Sequence, residues 1–138
     1  MSDGGLRQIF RKHLPEFDWL SVETWSTGRG VPDLNYCCAG IEGWIECKAT
    51  RAWRVAINPE QVAWAERRAR HGGRTCVAVR RYAPAGPRKE AFDELWLFRP
   101  DVLRHLLDER MDKAKASLIT LGGPANWSWA MIRAFLLK

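Results

Sequence analysis

Gly43-Trp44-Ile45-Glu46-Cys47-Lys48-Ala49-Thr50 is the stretch that decides how this chain folds. Read as a strand, it sends side chains two apart to one face, so Ile45 and Cys47 turn one way and Glu46 and Lys48 the other. An acid and a base at successive same-face positions of an apolar segment need something to compensate them. Upstream, Val31-Pro32-Asp33-Leu34 repeats the anomaly, with a carboxylate interrupting an apolar run. A strand from Val31 or Asp33 through Cys38, turned at Ala39-Gly40 into the strand 43–50, brings Asp33 beside Glu46.

The element that follows has the clearest boundaries. Asn58 is placed to cap a helix, Pro59 suits its first turn, Gln61 can reach back to the cap, and Gly72 can end it, which predicts a helix over 59–71. Leu6, Ile9, Phe10 and Leu14 recur at helical spacing until Pro15 stops them. Trp19 to Trp25 alternates loosely as a strand, and Ser26 to Gly30 is a polar turn. Beyond Gly72, Cys76-Val77-Ala78-Val79 and Glu94 to Phe98 read as strands separated by a loop over 83–89, and Pro100 opens a helix packed through Leu103, Leu106 and Leu107. Ala116 to Leu121 reads as a short strand, Gly122-Gly123-Pro124 as a turn, and Trp127 to Leu137 as a helix. Helices interleaved with strands in this order predict an α/β sandwich around a mixed sheet.

At 138 residues the chain suits a single domain, 1–138, with no repeat or low-complexity tract. Its 22 Lys and Arg against 16 Asp and Glu give a formal charge of +6, which favours an anionic partner. Cys37, Cys38, Cys47 and Cys76 form neither a paired metal motif nor a disulfide framework, and read as thiols of a reducing compartment. With no apolar run of membrane-spanning length and no basic-plus-apolar leader, a cytoplasmic location is expected.

Two acids and a lysine converging at one place have a recognisable chemistry. Asp33 and Glu46 are hard oxygen donors for Mg²⁺, and the backbone carbonyl of Cys47 can be a third. Lys48 is suited either to orienting and activating a water or to stabilising phosphate charge. The plainer alternative is an exposed Glu46/Lys48 pair on an edge strand, with Asp33 ending a turn.

Pro32-Asp33 and Glu46-Cys47-Lys48, preceded by Gly28 and Gly30 and followed by Asn58-Pro59-Glu60-Gln61 and Gly72-Gly73, resemble the PD-(D/E)xK nuclease superfamily. The resemblance is closest to its small VRR-NUC and Holliday-junction-resolvase-like members and covers roughly residues 6–80. It implies a restriction-endonuclease-like core, a central mixed β-sheet flanked by helices, and a phosphodiesterase that uses Mg²⁺, with Mn²⁺ as a substitute, and leaves a 5′-phosphate. The implied substrate is branched DNA such as a Holliday junction, with host cytoplasm as the location if the gene is carried by a phage. A broader flap, nick-processing or restriction-like nuclease and a non-catalytic DNA-binding protein on a nuclease fold are the alternatives.

The resemblance also distributes roles. Asp33, Glu46, Lys48 and Gln61 form the catalytic set, with Asp33, Glu46 and the Cys47 carbonyl on the metal. Gln61 would bond Lys48 or a substrate phosphate, although capping alone explains a glutamine there. Members of the superfamily often place a further acid on the first helix, where this chain has Gln8 and no Asp or Glu. Asp3, Glu16 or Glu23 could replace it, and Glu23 is preferred because it leads into the turn before Asp33. Ser26, Thr27 and Arg29 are expected near phosphate, with Arg7, Arg11, Arg51 and Arg54 on the DNA backbone and Trp53 stacking on unpaired bases. A homodimer would match the twofold symmetry of a four-way junction. Trp127, Trp129, Met131, Ile132, Phe135 and Leu136 supply apolar surface either for that contact or for the monomer core.

Overall fold

Ala39 and Gly40 both adopt left-handed backbone (φ 53° and 78°), the reversal that folds β2 (Leu34–Cys38) antiparallel onto β3 (Ile41–Thr50). The computed structural model to which they belong describes residues 3–22 and 30–138. Around this hairpin the described elements run α1 (Leu6–His13), β1 (Asp18–Ser21), β2, β3, α2 (Pro59–Arg70), β4 (Thr75–Ala83), β5 (Phe92–Phe98), α3 (Leu103–Asp108), β6 (Leu118–Thr120) and α4 (Trp129–Leu137). Single 3₁₀ turns at Pro100–Val102 and Met111–Lys113 flank α3.

The six strands form one mixed sheet in the order β1-β2-β3-β4-β5-β6. Neighbours pair antiparallel except β3 and β4, whose parallel pairing is bridged by α2. Strand alternation divides the core between the two faces. Leu34, Tyr36, Ile45, Cys47, Cys76, Ala78, Leu95 and Leu97 pack with Leu6 and Phe10 of α1 and with Ile132 and Leu136 of α4. On the other face Val77, Val79, Trp96 and Phe98 meet Val62 and Ala65 of α2 and Leu103 and Leu106 of α3. The structure is thus α/β, with helices on both faces of a mixed sheet.

Several elements differ in extent from the pattern of apolar residues: β3 begins at Ile41 and β5 at Phe92, β6 narrows to Leu118–Thr120, and β4 and α4 differ for reasons their contacts show. β4 continues past Val79 to Ala83 because its charges are neutralised across the ladder: Arg80 pairs with Asp93 at 2.7 Å and Arg81 with Glu94 at 3.2 Å. The last helix begins at Trp129, since Trp127 is buried in the preceding loop and donates its indole N–H to the Asp93 carbonyl at 3.2 Å. Trp127, Ile132 and Leu136 lie in the monomer core, whereas Met131 is 57% exposed. Among the described residues no helix is long and apolar enough to cross a membrane.

One contact ties the hairpin to α4. The Tyr36 hydroxyl donates to the Leu136 carbonyl at 2.6 Å, and its ring lies so close over Gly43 that a Cβ there would collide with the hydroxyl. Gly43→Ala should therefore destabilise the fold by about 2 kcal/mol through overpacking, read as a lower urea midpoint with an unchanged m-value. A midpoint equal to wild type would contradict this packing.

Candidate active site

β3 outlasts its antiparallel partner, and the site forms at that fork. The β2–β3 ladder begins at Leu34 opposite Ile45, so Cys47 and Lys48 lie beyond the start of β2. Asp33 takes over there as a side chain: its Oδ1 accepts the Cys47 N–H at 3.1 Å. The Trp44 N–H goes to the Arg74 carbonyl on the β4 side. Backbone groups alternate edges along a strand, so the Cys47 carbonyl opens onto the same gap as its N–H.

Glu46 projects to the α2 face and is only 8% exposed. Its Oε2 receives the Lys48 Nζ at 3.3 Å and the Gln61 Nε2 at 3.1 Å. Gln61 does two jobs at once. Its Oε1 accepts the Asn58 N–H at 3.1 Å while its own N–H donates to Asn58 Oδ1 at 3.0 Å, a complete capping box that leaves the amide nitrogen for Glu46. Its partner in the site is therefore Glu46 rather than Lys48. Gly30, with φ +81°, passes so close beneath the Glu60 carbonyl that any side chain would clash, which seats the chain leading into Asp33 against the start of α2.

Burial and the neighbouring Asp33 charge push the Glu46 carboxyl up to about 7, against the opposing pull of Lys48. Burial raises Asp33 as well, while the Cys47 N–H and the Arg7 charge act to lower it. The Cys47 thiol is driven well above its ordinary value, first by burial and then by Asp33 and Glu46, so this residue offers its backbone and not a thiolate. Both carboxyls are thus harder to ionise in the fold than in solution, because burial outweighs the hydrogen bonds and cations around them. Among the described residues no group of three or more His, Cys, Asp and Glu side chains is arranged to hold a metal. Two carboxylates and a carbonyl suit Mg²⁺, which keeps several waters and takes further oxygens from phosphate.

The three candidates for the additional acid separate clearly. Asp3 is buried just ahead of α1 and its charge bears on Asp33. Glu16 is tied instead to Arg133 at 2.9 Å on the exposed side of α4. Glu23 lies outside the described residues, as do Ser26, Thr27 and Arg29. Asp3 stands three residues before the start of a helix that has no acidic residue, and the paired Gly4-Gly5 between them is the one local sign of a tight entry.

The basic candidates scatter. Arg7 pairs with Asp3 at 2.9 Å, Arg11 donates to Ser21 Oγ at 2.7 Å, and exposed Arg54 donates to the Asp108 carbonyl at 3.2 Å. Arg51 is exposed just after β3. Trp53, the expected stacking residue, has the Arg81 guanidinium 3.6 Å from its ring centre and Trp96 edge-on at 5.9 Å, so a cation already occupies its surface.

Glu46 carries a prediction for the metal-free protein. Its value in the fold lies above the ordinary 4.5, so between pH 5 and 8 the folded state binds more protons than the unfolded chain and stability falls as pH rises through about 7. The loss should reach up to about 3 kcal/mol. Glu46→Gln should flatten this slope in chelator-treated protein, measured by thermal melts at each pH; the same slope in the variant would place its origin elsewhere.

Compared with family models, with curated proteins and with solved structures, the chain matches none.

Proposed function

We propose that this chain is a divalent-metal-dependent DNA endonuclease with a restriction-endonuclease-like core, hydrolysing phosphodiester bonds in branched DNA such as four-way junctions. The observation that carries the reading is the convergence at one fork of Asp33, Glu46, the Cys47 carbonyl and Lys48, with Gln61 bonded to Glu46. The resemblance of these residues to the PD-(D/E)xK pattern and the charge of +6 support it.

Asp33, Glu46 and the Cys47 carbonyl would hold Mg²⁺ or Mn²⁺, which supplies Lewis acidity toward a phosphate oxygen and lowers the pKa of a bound water. The protein's own part is positional. Asp33 is aimed by the Cys47 N–H, Glu46 by Gln61 and Lys48. Lys48, largely buried beside Glu46, would place its ammonium against a non-bridging phosphate oxygen or the attacking water. Two copies working on one junction would cut symmetrically.

A second reading, a DNA-binding protein without catalysis, is favoured by one observation: α1 carries no acidic residue to complete the metal set. Incubation of the protein with junction, flap and linear duplex DNA separates the readings. Junction cleavage dependent on Mg²⁺ or Mn²⁺, reduced at least about 10³-fold in Asp33→Ala and Lys48→Ala, is the expected result. Unchanged cleavage in both variants would overturn the assignment, and salt-sensitive binding without cleavage would establish the second reading. Equal cutting of flap or linear DNA would broaden the substrate class. Sedimentation as a monomer both free and on junction DNA would exclude the dimer.

A further inference from the structure

Most of the large apolar side chains exposed among the described residues gather at one edge of the sheet. Ile119 (47%), Leu121 (61%) and Met131 (57%) are three of the four, and Leu20, at the opposite edge, is the other. Ile119 lies in β6 and Leu121 just beyond it, while Met131 of α4 lines a recess with Ser117 and Leu118 beside them. β6 pairs only with β5, and among the described residues no backbone hydrogen bond from elsewhere reaches Leu118, Ile119 or Thr120. Natural sheet edges are blunted by charged residues or proline. Ser117-Leu118-Ile119-Thr120-Leu121-Gly122-Gly123 contains neither.

Geometry and charge both suit a second copy at this edge. An antiparallel twofold pairing that uses all three residues of β6 has Ile119 at its axis, against the partner's Ile119. Extended outward, the same register sets Leu121 against the partner's Ser117 and Gly123 against the partner's Lys115. The flanking lysines therefore do not oppose each other. Each exposed Lys115 is delivered to Gly123, where the Asp93 carboxylate stands 3.6 Å from the position of a Cβ. The register also crosses the candidate site: Lys48 lies opposite Val79, Val79 opposite Trp96, and Trp96 opposite Ile119. Lys48 and the partner's Lys48 thus share one row through the axis, seven strand spacings or about 34 Å apart. We propose that the β6 edge is the contact between two copies of this chain, joining their sheets antiparallel about Ile119. This rests on the two-copy part of the reading above, for which it supplies the surface, and not on DNA cleavage.

Sedimentation equilibrium of the full chain, without metal or DNA, tests it. Wild type should be dimeric at micromolar protein. Ile119→Lys and Ile119→Asp, each setting like charges together at the axis, should each raise the dimer dissociation constant at least about tenfold. An equimolar mixture of the two should recover a dimer within about threefold of wild type, because the axis then joins opposite charges. That recovery also shows that both variants fold. Ile119→Cys serves if they do not: on mild oxidation it should cross-link to its partner beyond the wild-type background, whereas Leu121→Cys, facing the partner's Ser117, should not. Variants that stay dimeric, or a mixture that stays monomeric, would overturn the inference and leave the two-copy reading to a different surface. Wild type that is monomeric in solution would overturn it as well, and the two-copy reading would then depend on sedimentation with junction DNA. DNA cleavage keeps its own test in every case.

Discussion

The hydrogen bond from the Cys47 N–H to Asp33 is the contact on which the site depends. A ladder bond at that position would have continued β2 along β3 and closed the sheet over the gap. A side-chain acceptor ends the pairing instead, satisfies the donor, and turns a carboxylate toward Glu46. The Cys47 carbonyl is left beyond the start of β2, and the Asp33 charge adds to the burial that raises the Glu46 carboxyl.

Stability and chemistry are in tension there. Two acids held together in a mostly buried fork cost the fold free energy, and the surrounding structure over-determines them to keep them in place. Gln61 illustrates how this is done economically, because a helix cap that would form anyway also restrains Glu46. The arginines show the reverse economy. Arg80 and Arg81, read from sequence as part of a general basic character, are engaged across the β4–β5 ladder, and Trp53 is engaged with Arg81. Net charge overstates the basic surface left for an anionic partner.

The C-terminal third bears none of the converging acids, yet it braces the sheet that carries them. Trp127 and Gly123 hold Asp93, Asp93 holds Arg80, and Arg80 holds the Gly4 carbonyl next to Asp3. α4 meanwhile covers the sheet face opposite Glu46 and receives the Tyr36 hydroxyl. This explains how the last part of the chain can lack a recognisable motif and still matter to the site: its contribution is backbone carbonyls and packing, which leave little imprint on residue identity.

Local periodicity was enough to read the helix over 59–71 with its cap, the β2–β3 hairpin, the alternation placing Glu46 and Lys48 on one face, and the α/β layering. Each depends on neighbours a few residues apart, where backbone geometry allows few alternatives. The sequence by itself determined which residues could form a site and that three of them would meet. Tertiary structure decided the rest: that Gln61 turns to Glu46, that Asp3 takes Arg7 while Glu16 takes Arg133, and that Trp53 is covered. Those outcomes join residues far apart in the chain, and which partner a charged side chain takes is set by the full three-dimensional packing, a quantity no local pattern contains.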